Sequence, residues 1–150
     1  MSKPKPANPA LSISHPDLAS ALAQIGTEVA HQPLRSSALA RIMRETFHGS
    51  DAGGAWDWRM AYDLMQAAAI QVLLRGDNAV DDIATAKLLA SRLLTETRRS
   101  EQQIRLQQFS TPLPFAALAV QAAAIRKGET VLEPSAGTGA LAAFAARAGA

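Results

Sequence analysis

The chain has 150 residues, 48% of them hydrophobic, a formal net charge of +2 and no cysteine. That length and composition suit a globular protein with its own core, and the lack of cysteine excludes disulfides, thiolate metal sites and thiol catalysis, in keeping with a reducing cytosol. So small a charge does not by itself imply a nucleic-acid partner, and no apolar stretch approaches the roughly 20 residues that cross a bilayer, so a cytoplasmic protein without a membrane span is expected.

Residues 1 to 10, with Lys3, Lys5 and three prolines, read as a solvated tail without the apolar core of a signal peptide. Ser14-His15-Pro16-Asp17 resembles a capping box, and Leu18, Leu22, Ile25 and Val29 follow at helical spacing, so a first helix is predicted over about 15 to 30. Pro33 breaks the chain. Ser36 or Ser37 is positioned to cap a second helix lined by Leu39, Ile42, Met43 and Phe47, and the glycine-rich residues 48 to 54 form a loop. The longest periodic segment, 56 to 75, carries Met60, Ala61, Leu64, Met65, Ala68 and Val72 on one side, with Gly76 placed to end it. Asp81 or Asp82 starts a fourth helix with Ile83, Ala86, Ala90, Leu93 and Leu94 inward and Arg98 and Arg99 at its negative end. Residues 11 to 100 therefore read as a helical domain.

The character changes after the polar connector 100 to 108. Pro112 lacks an N–H and biases Thr111 towards extended geometry, so residues 109 to 112 form a loop. A fifth helix is predicted over 114 to 126, a turn at 127 to 129, a strand at 130 to 133 and a further helix over 141 to 147. The fold class expected is mainly α, leading into the start of an α/β Rossmann-like domain with about one strand. A lone strand leaves its backbone groups without neighbours, so the region beyond the turn is expected to be held loosely. Lys127, Arg98, Arg99 and Arg105 lie near the glycine loop in sequence, either as a basic rim or as solvated helix ends and loop.

Three cofactor families place glycines between a strand and a helix. A phosphate-binding P-loop requires a lysine after its last glycine, and Gly139 is followed by Ala140 and Leu141. Gly137-Thr138-Gly139-Ala140-Leu141-Ala142 satisfies the short nicotinamide-loop pattern. Against that reading, Glu133 already closes the strand, and a bend through Pro134 to Ala136 precedes the first glycine. An early carboxylate suits a cofactor with a cationic group. A purely structural reading also stands: Phe109 in the core, Thr111 capping the fifth helix, and glycines that only permit a tight turn.

Glu133-Pro134-Ser135-Ala136-Gly137-Thr138-Gly139 resembles the first motif of S-adenosylmethionine-dependent DNA amino-methyltransferases, and Gln108-Phe109-Ser110-Thr111-Pro112 resembles their second cofactor element. The two stand in the family's order, about a helix apart. The resemblance implies S-adenosyl-L-methionine as cofactor, held by Phe109, Ser110, Thr111 and Pro112 on one side and by Glu133, Pro134, Ser135, Ala136, Gly137, Thr138 and Gly139 on the other. Backbone donors and the Ser135 and Thr138 hydroxyls would hold polar cofactor atoms, Glu133 would orient the loop or the charged methionine end, and Phe109 would cover it.

From about Ser36 to Ala150 the chain also resembles the amino-terminal region of strawberry notch-like proteins of bacteria and phages. The likeness rests on Gly54-Ala55-Trp56-Asp57-Trp58-Arg59, on Ala61-Tyr62-Asp63 and on Thr97-Arg98-Arg99-Ser100-Glu101. There a methyltransferase-like domain precedes a helicase-like NTPase domain. The resemblance implies DNA as partner, a base amine such as adenine N6 as methyl acceptor, and further methyltransferase and helicase domains in the same polypeptide. Residues 101 to 150 would open the methyltransferase domain. Transfer to an exocyclic amine in that group uses a Pro-Pro-Tyr/Phe element, and no Pro-Pro pair occurs in these residues. No catalytic residue is assigned, and an amino-terminal part of a longer enzyme, inactive alone, is expected. The alternative is a non-catalytic helical module that docks a partner or positions DNA for an NTPase.

His15, His31 and His48 form no metal-ligand spacing. Trp56, Trp58 and Tyr62 suit either core packing or stacking on an unpaired base, Trp58 and Tyr62 sharing a helix face.

Overall fold

Helical periodicity is realised in six helices among the described residues, which in this computed structural model are 15–76, 81–98, 105 and 110–150. These are α1 (His15–His31), α2 (Ser36–Thr46), α3 (Trp58–Arg75), α4 (Asp82–Arg92), α5 (Leu113–Ala123) and α6 (Ala140–Ala148). The long α3, buried on several sides, is the hub: it packs on α1, α2, α4 and α6, while α5 bridges α4 and α6. One continuous core runs through all six, from Ile25 and Val29 through Ile42, Met43, Met65, Leu73 and Leu89 to Leu113 and Phe144. Burying each such side chain contributes about 1.5–3 kcal/mol.

Helix starts follow capping chemistry where an acid is available. Asp57 Oδ1 accepts from the Met60 N–H at 2.7 Å, and Asp81, rather than Asp82, accepts from the Ile83 N–H at 2.9 Å. Each satisfies a backbone donor that the first helical turn leaves open, for about 1 kcal/mol. Asp57 displaces the expected start at residue 56, and Trp56 instead lies buried before the helix with its indole N–H on the Gly49 carbonyl at 3.0 Å. In α2, Ser36 and Ser37 lie inside the first turn; the cap position is Arg35, without a side-chain hydrogen bond. The expected Ser14 cap and the tail 1–10 lie outside the described residues.

Tertiary contacts decide where α4 ends. It stops at Arg92, short of the Arg98 and Arg99 expected at its end; Arg99 lies outside the described residues. The Arg92 guanidinium donates to the Val29 and Ala30 carbonyls at 3.1 and 2.6 Å, and the Arg92 carbonyl accepts from Leu34 N–H at 2.8 Å. The close of α1 is thereby satisfied by a cation, where the helix dipole favours one.

The carboxyl-terminal part departs from two expectations. Residues 130–133 form no strand, and no strand occurs among the described residues. A ladder needs a neighbouring backbone, and without one Val131 and Leu132 stand 43% and 89% exposed. The start of a Rossmann-like domain expected here, with about one strand, thus shows no strand among the described residues. The region beyond is nevertheless held firmly, because α6 buries Ala140, Ala143 and Phe144 in the common core. Its Arg147 side chain, 3% exposed, meets Asp82 Oδ1 at 2.7 Å through Nη2 and at 2.8 Å through Nε. Arg147 Nη1 also donates to the Leu73 and Gly76 carbonyls at the end of α3, at 2.9 and 3.2 Å. One guanidinium therefore joins α6 to the start of α4 and the end of α3.

Candidate functional site

The glycine loop is two tight turns closed by local hydrogen bonds. Glu133 Oε1 accepts from the Ser135 N–H at 3.0 Å, so the acid holds the loop's first bend, and the Gly139 N–H donates to the Ala136 carbonyl at 2.7 Å. Gly137 and Gly139 have φ of 53° and 90°, the left-handed region in which a side chain is strained. Gly139 is also the N-cap of α6 and supplies no side-chain oxygen, so the first N–H groups of that helix have no side-chain cap. Such an end attracts partial or full negative charge.

Ser110 and Thr111 come against this loop. Together with Ser135, Ala136, Gly137, Thr138, Ala140 and Leu141 they line a cleft of about 40 Å³. The two sequence elements that resemble cofactor motifs, separated by all of α5, thus share one polar depression at the start of α6. The hydroxyls of Ser110, Thr111, Ser135 and Thr138 make no hydrogen bond to another described residue. The remaining predicted residues take supporting places: Pro112 is the N-cap of α5, Pro134 begins the bend, Glu133 braces it, and Phe109 lies outside the described residues. Thr111 does not cap α5, which removes one part of the purely structural reading; the tight turn through the glycines remains.

A space of about 40 Å³ takes a single water, whereas small-molecule sites span roughly 300–1,000 Å³. The volume lies on the other flank of the same loop. There Gly137 and Thr138 form one wall of an open groove of about 560 Å³, lined otherwise by Leu18 of α1 and by Asp57, Arg59, Met60, Asp63, Leu64 and Ala67 along α3. Its floor is apolar and its rim carries two carboxylates and one guanidinium. Desolvation raises the Asp63 carboxyl above its ordinary value of 3.8; Arg59 opposes the rise from 3.9 Å, and Glu96 and Asp57 add to it. The groove residues of α1 and α3 were not singled out as a site from the sequence. The signal was there in α3, where Met60, Asp63, Leu64 and Ala67 fall at i, i+3, i+4 and i+7 and place an acid within an apolar stripe.

The aromatic set resolves into core and surface. Trp56 and Tyr62 are 2% and 5% exposed, while half-buried Trp58 lies between them at ring distances of 5.5 and 5.7 Å. Trp58 donates its indole N–H to Asp51 Oδ2 at 3.0 Å, and the Arg98 guanidinium stacks 4.2 Å from its ring centre while pairing with Asp51 at 3.8 Å. Arg98 is accordingly engaged at this aromatic cluster rather than standing as a free basic rim. Packing accounts for two of the three rings, and Trp58 is the member left with an accessible part.

No family model, curated protein or solved structure matches this chain. Among the described residues no helix is long and apolar enough to cross a membrane.

Proposed function

We propose that this chain provides the cofactor-loop side of an S-adenosylmethionine-dependent amino-methyltransferase, as part of a larger methylase and helicase protein acting on DNA. The observation that carries the reading is the meeting of Ser110 and Thr111 with Ser135 to Thr138 in one cleft at the uncapped start of α6. Two motifs that resemble the family's cofactor elements stand a helix apart in sequence, and they meet on one surface, as such elements would have to. The residues present suit the methyl donor: the α6 N–H groups and the four hydroxyls would take its carboxylate and other polar atoms, and the adjoining 560 Å³ groove has the volume its body needs. When bound, that group would supply an electrophilic methyl for a base amine, adenine N6 in this reading, which must leave the stack to be reached. No residue of the chain is assigned to the transfer step itself.

Photo-crosslinking with methyl-labelled S-adenosylmethionine tests the proposal. Label is expected on peptides containing 110–111 or 135–138, and loss of label in Gly137→Val. Labelling that is absent, or indifferent to that substitution, refutes it. The second reading, a helical module that positions nucleic acid, is favoured by the accessible Trp58 edge with stacked Arg98. Oligonucleotide binding lost in Trp58→Ala but unchanged in Gly137→Val, without cofactor labelling, would select it.

A further inference from the structure

The groove between α3 and the glycine loop has properties that the loop alone does not explain. Its floor of Leu18, Met60, Leu64 and Ala67 is apolar, while Asp57 and Asp63 give the rim two negative charges against the single positive charge of Arg59. Asp57 is already committed, since Oδ1 caps α3 through the Met60 N–H. Asp63 is held differently: its cationic neighbour Arg59 lies 3.9 Å away, at the limit of an ion pair, and the two side chains are 47% and 54% exposed, so the carboxylate is open to a ligand. The groove therefore presents an apolar surface with one accessible carboxylate, held only by an exposed ion pair, beside the loop that opens α6.

We infer that this groove receives the ammonium group of the ligand held at the glycine loop, with Asp63 as its counter-ion. The inference rests on the methyl-donor reading and deepens it, by giving a wall of the ligand site to the helical region. Charge complementarity selects the occupant. In S-adenosylmethionine the carboxylate and the ammonium share one carbon, so its amino-acid end would lie over Gly137 and Thr138, with the carboxylate towards the start of α6 and the ammonium towards Asp63. An anionic or neutral ligand would leave Asp63 as it is. Partial desolvation of that carboxyl runs in the same direction, its effect limited by a side chain that is 54% exposed.

The test is a titration of the 150-residue chain followed by NMR chemical shifts, using S-adenosylmethionine and, as a probe without charge, methylthioadenosine. Asp63→Asn is expected to weaken S-adenosylmethionine about 10- to 100-fold, the effect of one charge-assisted hydrogen bond, and to leave methylthioadenosine unchanged. Asp63→Glu is expected to restore part of the loss. If Asp63→Asn changes neither ligand, or weakens both equally, while Gly137→Val still abolishes binding, the counter-ion role is overturned and the cofactor reading survives. If the unaltered chain binds neither ligand, both fall together. Backbone amide spectra of each variant report whether the fold is retained, and a second carboxamide, Asp57→Asn, is expected to have the smaller effect because its carboxylate is occupied by the cap.

Discussion

Replacing Arg147 by methionine keeps the length of the side chain and its apolar stem but removes the guanidinium that joins α3, α4 and α6. The variant loses two contacts to Asp82 Oδ1 at 2.7 and 2.8 Å and two to the Leu73 and Gly76 carbonyls at 2.9 and 3.2 Å. Removing one partner of a fully buried pair costs about 3–5 kcal/mol, chiefly because the other charge is left unpaired. Here the arginine is 3% exposed but the Asp82 side chain is 35% exposed, so water recovers part of its solvation. The Leu73 carbonyl also keeps the Gly76 N–H at 3.1 Å. The expected loss is therefore about 2–3 kcal/mol, and at roughly 3 °C per kcal/mol for a chain of this size the melting temperature should fall by about 6–9 °C. Urea unfolding at constant slope gives the free energy, and hydrogen exchange should show α6 amides losing protection before those of α1 and α3. In a double-mutant cycle with Asp82→Asn, a coupling of about 1.5–3 kcal/mol is expected. A loss below about 0.5 kcal/mol would refute the reasoning, since that is the behaviour of a solvated surface pair.

Trp56→Phe should destabilise by about 2–3 kcal/mol, from lost volume in a site 2% exposed and from the missing bond to the Gly49 carbonyl, as read by urea midpoint. Gly139→Ala should cost about 1–2 kcal/mol in thermal unfolding. At φ of 90° with no atom within 4 Å of the added carbon, the cost there is backbone strain and not a clash. For Asp63 the carboxyl is raised in the folded state, so the fold holds this proton more tightly than the unfolded chain does, and stability falls as pH rises from 3.8 through the raised value. Asp63→Asn should remove that fall and leave a slightly higher melting temperature near neutrality, the gain being small because the side chain is 54% exposed. Equal pH profiles for the two proteins over the carboxylate range would contradict the desolvation argument.

How much was legible in the sequence depended on the range of the forces involved. The helices from α1 to α4 follow from apolar spacing at Ile25, Ile42, Met65 and Ala86, and the cap at Asp81 follows from a side chain reaching its own backbone. Where an element depended on another part of the chain, sequence reading failed. A run such as Val131-Leu132 has strand propensity, but propensity supplies no partner for its backbone, and the segment stays unpaired. The early close of α4 likewise needed the carbonyls of Val29 and Ala30, some 60 residues away.

The same division holds for the site. The sequence by itself determined the glycine loop, because positive φ at Gly137 and Gly139 and the Glu133 brace are local demands on residue type. It also supplied the two elements that resemble cofactor motifs, without their distance from one another. Only the tertiary structure decided that Ser110 and Thr111 lie against Ser135 to Thr138, and that an acid of α3, Asp63, shares a groove with the same loop. Those approaches are set by burying Phe144 and by anchoring Arg147 between helices, and such contacts join residues whose separation along the chain carries no local signal.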